Sequence, residues 1–290
     1  MLQSAFAYSH PYTEEKSLVL LRLLTVFVLS VLTLTFSASA FGQEETPAVP
    51  APTPVATPSS KVDIKNVTVE QVVESSIFLY GYPGGRVTLN QIRKTTQERG
   101  TANITNAEGK VDKVTYQRFI IRGDSLAAEK IRLDQEFPSA RYALIYADDK
   151  IYGVYNNTVF TPREDAAKTF ENQIVRGLEA LLRYKENGST IELADKDKIM
   201  GVEYFIVDVT DKQGRKTRFF VSTKSFRVMM LTYEEDGVRY KRKFYDYNYA
   251  QGTLVPFRTV LWANDKVVEE TEIGTITFGQ KVDEGLFSNG

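Results

Sequence analysis

The chain contains no cysteine and a single histidine, His10. Without thiols there is no disulfide, no thiolate metal site, no cysteine nucleophile and no lipid attached through a cysteine. An excess of one charge is also missing, because 36 Lys and Arg stand against 37 Asp and Glu for a formal net charge of −1. Binding to a phosphate backbone needs a basic excess, so nucleic acid is not an expected partner. A long hydrophobic run is lacking too: the uninterrupted apolar stretch Leu23 to Phe36 falls short of the ~20 residues that span a bilayer.

What stands in the first 60 residues reads as address and tether. Lys16 and Arg22 precede the apolar stretch, and Ala38-Ser39-Ala40 follows it. This is the pattern of an export signal cleaved after Ala40. The alternative is an uncleaved anchor over Leu18 to Phe36, with Arg22 snorkelling. In both cases the charge order places the remainder outside the cytoplasm, and the periplasm is the expected location. Residues 41–60 hold Pro47, Pro50, Pro52, Pro54 and Pro58, half of the ten prolines, and read as an extended spacer. A folded domain is expected over residues 61–290. Cleavage would remove His10, leaving a mature chain with no imidazole and no thiol, so Ser-His-Asp, Cys-His and common zinc chemistry are excluded. The expectation is a protein with no catalytic residue, metal or cofactor.

The spacing predicts a helix over Thr68 to Tyr80. Thr68 and Gln71 form a capping box, and Val69, Val72, Val73, Ser76, Ile77 and Tyr80 lie on one face. A second helix is predicted from Thr161 as N-cap, with Pro162 and Glu164 completing its start, to a stop at Asn187-Gly188. Its apolar stripe is Ala167, Phe170, Ile174, Leu178 and Leu181, and Glu164/Lys168 and Glu179/Arg183 are read as pairs on the wet side. Nearly everything else has period two and is joined by short polar turns such as Asp148-Asp149, Asp236-Gly237 and Asn264-Asp265. That pattern predicts an antiparallel meander. Val202 to Thr210 is apolar on both faces, with Tyr204 and Ile206 on one and Phe205, Val207 and Val209 on the other. Either protein covers the sheet on both sides, or the sheet is curved and part of its concave side lines a cavity.

Three phrases carry a family resemblance: GVEYFIVDVTDKQGRKTRFFVSTKSFRVMMLTY (Gly201 to Tyr233), FYDYNYAQGTLVPFRTVLW (Phe244 to Trp262) and VDEGLF (Val282 to Phe287). With Tyr247, Gly252 and Pro256 in place, the layout from Val67 to Phe287 resembles the LolA/LolB-type periplasmic lipoprotein carriers. The resemblance implies an α+β, mostly β fold: a strongly curved antiparallel meander, an open half-barrel of about eleven strands, with two or three helices on its concave side. It also implies a hollow that takes up acyl chains, and a helix-borne lid with a gating arginine, for which Arg86, Arg93 and Arg163 are the candidates.

The expected function is therefore a soluble, monomeric periplasmic carrier of lipoprotein acyl chains or lipid, working between membrane-bound donor and acceptor proteins. The alternatives are a sensor or scaffold of the same fold that binds a protein partner, and a carboxylate hydrolase using Asp148/Asp149, Asp195/Asp197 or Glu269/Glu270/Glu272. The Glu run is read as a solvated sheet edge, and Arg239, Lys241, Arg242 and Lys243 as a solvated strand face. Alternation assigns Phe205, Val207, Phe219, Val221, Met229, Leu231, Phe257, Leu261, Ile276 and Phe278 to the cavity lining.

Overall fold

The computed structural model describes residues 67–106 and 108–288. The export signal and proline-rich spacer expected over residues 1–60 lie outside them. Among the described residues, no helix is long and apolar enough to cross a membrane.

Helix α1 (Val69–Tyr80) starts as the capping box predicts: Thr68 accepts from the Gln71 N–H, and the Gln71 side chain accepts from the Thr68 N–H. Its buried face is Val72, Val73, Ser76, Ile77 and Tyr80. A short helix α2 (Arg86–Ile92) follows. The chain then forms strands β1 (Thr95–Thr105), β2 (Val111–Ile121), β3 (Lys130–Glu136), β4 (Arg141–Ala147), β5 (Lys150–Tyr155) and β6 (Thr158–Phe160). After the helical segments come β7 (Thr190–Ile199), β8 (Val202–Thr210), β9 (Lys216–Ser222), β10 (Val228–Glu235), β11 (Val238–Ala250), β12 (Thr253–Ala263) and β13 (Lys266–Phe278).

All thirteen described strands join one sheet in the order β6-β5-β4-β3-β2-β1-β13-β12-β11-β10-β9-β8-β7. Two meanders thus meet where β1 pairs antiparallel with β13. The sheet does not close, and the architecture is an open half-barrel. Two-residue turns with positive φ at Asp148/Asp149, Asn156/Asn157, Asp236/Gly237, Gln251/Gly252 and Asn264/Asp265 fold one strand onto the next. The Asn156-Asn157 turn returns the chain as β6, a three-residue edge strand beyond the strands expected from sequence.

The predicted long helix is three. It begins at Glu164 as α3 (Glu164–Val175), with Arg163 at the N-cap position and no side-chain cap. Thr161 does not cap it. Instead Asp165 accepts from the Ala166 N–H at 2.9 Å and pairs with Arg163, satisfying the first turn locally. The helix breaks at Arg176-Gly177, resumes as α4 (Leu178–Leu182), and ends in a single turn α5 (Tyr184–Asn187) capped by left-handed Gly188.

The concave core has two parts. Under α1 and α4, Val72, Val73, Ile77, Leu181 and Leu182 pack on Phe205, Val207, Phe219, Val221, Val228 and Leu231. Under α3, Phe170 packs among Ala102, Tyr116, Ile131, Leu133, Leu144 and Tyr146. Tyr80 ties α1 down: its hydroxyl lies 2.9 Å from that of Tyr247, and it accepts from the Val228 N–H at 3.3 Å. Burial pushes the Tyr80 phenol up to about 12, so this tie is protonated at neutral pH. The opposite face of β8 and its neighbours carries a separate cluster, Tyr204, Ile206, Phe220 and Met230. The two-sided apolar pattern of β8 therefore reports helices on one side and a convex apolar cluster on the other.

Candidate functional site

The concave side is not filled everywhere. Between the two core clusters lies a cavity of about 220 Å³, floored by β1, β2, β3, β11, β12 and β13 and roofed by α3, Gly177 and α4. Its apolar lining includes Ala102, Ile104, Ile120, Ile131, Leu133, Phe244, Val255, Phe257, Ile273 and Ile276 from the sheet, and Phe170, Ile174 and Leu178 from the roof.

Of the ten residues that alternation assigns to the lining, Phe257, Ile276 and Phe278 border this cavity. Phe205, Val207, Phe219, Val221 and Leu231 face the same concave side but lie in closed core beneath α1 and α4. Leu261 is paired with Glu269 on β13 and is buried, but it does not border the cavity. Met229 packs with the convex cluster. The register between β9 and β10 shifts between Val228 and Met230, and this bulge rotates Met229 out of the phase of Leu231. The lining also takes Ala102, Ile104, Ile120, Ile131 and Leu133 from β1, β2 and β3, which strand alternation in the central strands did not single out.

Polar groups cross the cavity in two networks. In the first, the Tyr116 hydroxyl donates to Glu98 at 2.8 Å, and Arg118 approaches Glu98 at 3.5 Å. Arg118 also donates to Gln173 of α3 at 3.1 Å, and Gln173 donates to Glu269 at 3.2 Å. Arg242 completes the chain with a 3.0 Å bond to Glu269. Gly100 makes this arrangement possible: a Cβ there would stand 2.8 Å from a ring carbon of Tyr116 and 2.1 Å from the Glu272 carbonyl oxygen. Burial, reinforced by Glu98, raises the Tyr116 phenol and keeps it a donor.

This network corrects two sequence readings. Strand β13 lies between β1 and β12, so the Glu run is not a sheet edge, and Glu269 is buried. Arg242 alternates inward to meet it, whereas Arg239 and Lys241 turn outward to Asp265. Asp148/Asp149 forms a turn, with Asp149 accepting from Tyr146 at 2.9 Å. Among the described residues, no three acidic or histidine side chains are grouped to hold a metal.

The second network joins α4 to the loops at the ends of α2 and β2. Arg93 donates to Glu179 at 2.6 Å and to the Leu254 carbonyl at 2.8 Å. Arg122 bonds Glu129 at 3.1 Å and Glu179 at 3.2 Å. Arg183 bonds Glu129 and donates to the Gly123 carbonyl at 2.7 Å. The Glu179/Arg183 pair predicted for the wet side thus points inward, because the break at Gly177 gives α4 a different face from α3. The other gate candidates stand elsewhere: Arg86 pairs with Glu74 and Glu186, and exposed Arg163 pairs with Asp165.

Burial works to raise the Glu179 carboxyl, but Arg122, Arg93 and Arg183 outweigh it and hold it at about 2. A carboxyl depressed in the folded state stabilises the fold fully above its unfolded value near 4.5, and that contribution is lost as the pH falls through about 2. Glu129 has the opposite sign, since burial raises it despite Arg122 and Arg183. Comparing the wild type with Glu179→Gln isolates the first effect. Urea midpoints measured from pH 5 to pH 2 are expected to fall less steeply in the variant, and equal slopes would contradict the assignment.

No family model and no curated protein sequence matches the chain. Solved structures do. A LolA superfamily protein from Nitrosomonas europaea superposes with a TM-score of 0.56 at 12% identity, covering 77% of this chain and 98% of that one. A DUF1329 family protein from Desulfovibrio piger gives the same values. At that identity the likeness is one of fold, and it extends over nearly the whole of both neighbours.

Proposed function

From a LolA-type fold that roofs a cavity with a separate helix, we propose that the chain is a periplasmic carrier that takes the acyl chains of lipoproteins or lipids between its concave face and α3. The observation that supports this most directly is the way α3 is attached. One flank is held by exchangeable polar contacts: Lys168 to Asp236, Glu171 to Arg215 at 2.5 Å, Asn172 to Glu235 at 2.5 Å and Arg176 to the Lys216 carbonyl at 2.9 Å. Its buried apolar side chains are Phe170 and Val175, with Ile174 half-buried on the same cluster.

Magnitudes favour opening by a long chain. Two buried side chains contribute about 3–6 kcal/mol and the half-buried Ile174 adds less than a further full side chain, whereas sixteen methylenes at about 0.8 kcal/mol each contribute about 13 kcal/mol before costs. Partly exposed ion pairs add little on either side. A cavity of about 220 Å³ is near the size that admits a benzene-sized guest, so a whole acyl chain enters only with α3 displaced. Short ligands do not supply that work.

The purified chain is expected to retain lipid visible by native mass spectrometry and to bind a fluorescent acyl probe. A well-folded sample that does neither would sink the proposal. Filling the floor with Ala102→Phe, at a position 7% exposed beneath Phe170, is expected to weaken the probe at least about tenfold, about 1.4 kcal/mol. Wild-type affinity in that variant would place the ligand elsewhere.

A further inference from the structure

The second polar network has an unbalanced composition. Three guanidinium groups, Arg93, Arg122 and Arg183, share two carboxylates, Glu129 and Glu179. The Nε atoms of all three arginines are buried with no hydrogen-bond partner. Arg93 and Arg183 are 8% and 7% exposed. Buried charged donors are normally satisfied, so this cluster has one positive charge and three N–H groups to spare.

Position gives the excess a meaning. Arg93, Arg122, Glu179 and Arg183 border the acyl cavity on one side and, on the other, a cleft of about 290 Å³. Charges at the cleft rim cancel: Arg86 and Lys185 pair with Glu74 and Glu186, and exposed Lys94 stands with exposed Asp124. The uncompensated charge therefore sits at the partition itself. Apolar lining reaches it directly, since the Arg93 guanidinium lies 5.3 Å from the centroid of the Phe278 ring.

We infer that this partition binds the oxyanion headgroup of an amphiphile whose acyl chain occupies the cavity. The inference rests on the acyl-binding reading and narrows it to lipids that carry a phosphate or similar anion. Arginine forks match a phosphate or carboxylate in geometry, and a single oxyanion satisfies several of the spare donors at once. Neutral glycerol heads offer hydroxyls to the same donors without answering the charge.

Displacement of the fluorescent acyl probe from the full chain tests this with three competitors: hexadecyl phosphate, 1-O-hexadecylglycerol and inorganic phosphate. Hexadecyl phosphate is expected to bind at least about tenfold tighter than the neutral ether, about 1.4 kcal/mol. The preference is expected to shrink toward parity in Arg122→Gln and to be partly retained in Arg122→Lys. Equal affinity of the two amphiphiles for the wild type overturns the headgroup site and leaves the acyl cavity standing. Failure of both amphiphiles removes the carrier reading and this site with it. Inorganic phosphate that competes as strongly as hexadecyl phosphate overturns the lipid source in favour of the free anion. The decisive comparison uses the wild type, so misfolding of a variant does not obscure it.

Discussion

Tethering α3 to the β10–β11 turn is expected to abolish uptake of an acyl probe. Lys168 on α3 meets Asp236 in that turn, and their side chains are 39% and 76% exposed. Such a pair contributes about 0–1 kcal/mol, so Lys168→Cys with Asp236→Cys leaves the fold intact. The wild type has no cysteine, and a short bis-maleimide therefore bridges only this pair. Bridged protein keeps the cavity at its closed volume of about 220 Å³, and affinity for a sixteen-carbon probe is expected to fall at least about a hundredfold, about 2.7 kcal/mol. The unbridged double variant serves as reference, and each single variant capped with the reagent controls for bulk. Unchanged binding in the bridged protein would mean that chains enter without displacing α3.

The same helix shows where the sequence was legible and where it was not. Period-two alternation and the turn pairs at Asp148-Asp149, Asp236-Gly237 and Asn264-Asp265 specify hairpins by local sterics, and those hairpins are present. The capping box at Thr68 is equally local and equally present. Distant contacts defeated the reading elsewhere. Glu179 and Arg183 have the spacing of a solvated helical pair, and only the break at Gly177 together with Arg93 and Arg122 from remote loops turns them inward. Met229 left the expected face through a bulge that no single-strand pattern encodes. Phe205, Val207, Phe219 and Val221 lie in closed core, because α1 and α4 cover that half of the concave surface. Strand alternation identifies a face, whereas helix placement decides which part of that face stays open. The residues carried by the family resemblance divide similarly: Tyr247 anchors α1, Gly252 makes a turn at φ +82°, and Pro256 alone borders the cavity.

Removing Glu129 is expected to have the largest effect on stability. Its side chain is 2% exposed and it is the carboxylate between Arg122 and Arg183. Glu129→Leu leaves the Arg183 guanidinium buried with only the Gly123 carbonyl as a hydrogen-bond partner. Stranding a buried charge costs about 3–5 kcal/mol. For a domain of this size each kcal/mol shifts Tm by roughly 2–4 °C, so thermal melts are expected to show a drop of about 6–20 °C. A compensating change separates charge stranding from loss of packing: Glu129→Leu combined with Arg183→Met removes the unpaired cation, while Arg122 keeps Glu179 at 3.2 Å. The double variant is expected to recover more than half of the lost stability, because an apolar pair replaces the ion pair at little net cost. A Glu129→Leu variant within about 1 kcal/mol of the wild type would show that Arg183 is not held by this carboxylate. Glu129 stands just before β3 and Arg183 ends α4, so their pairing sets the distance between the roof and the β2–β3 connection. That distance is the width of the charged end of the cavity, and the charge that makes the pairing costly to break also keeps this end polar.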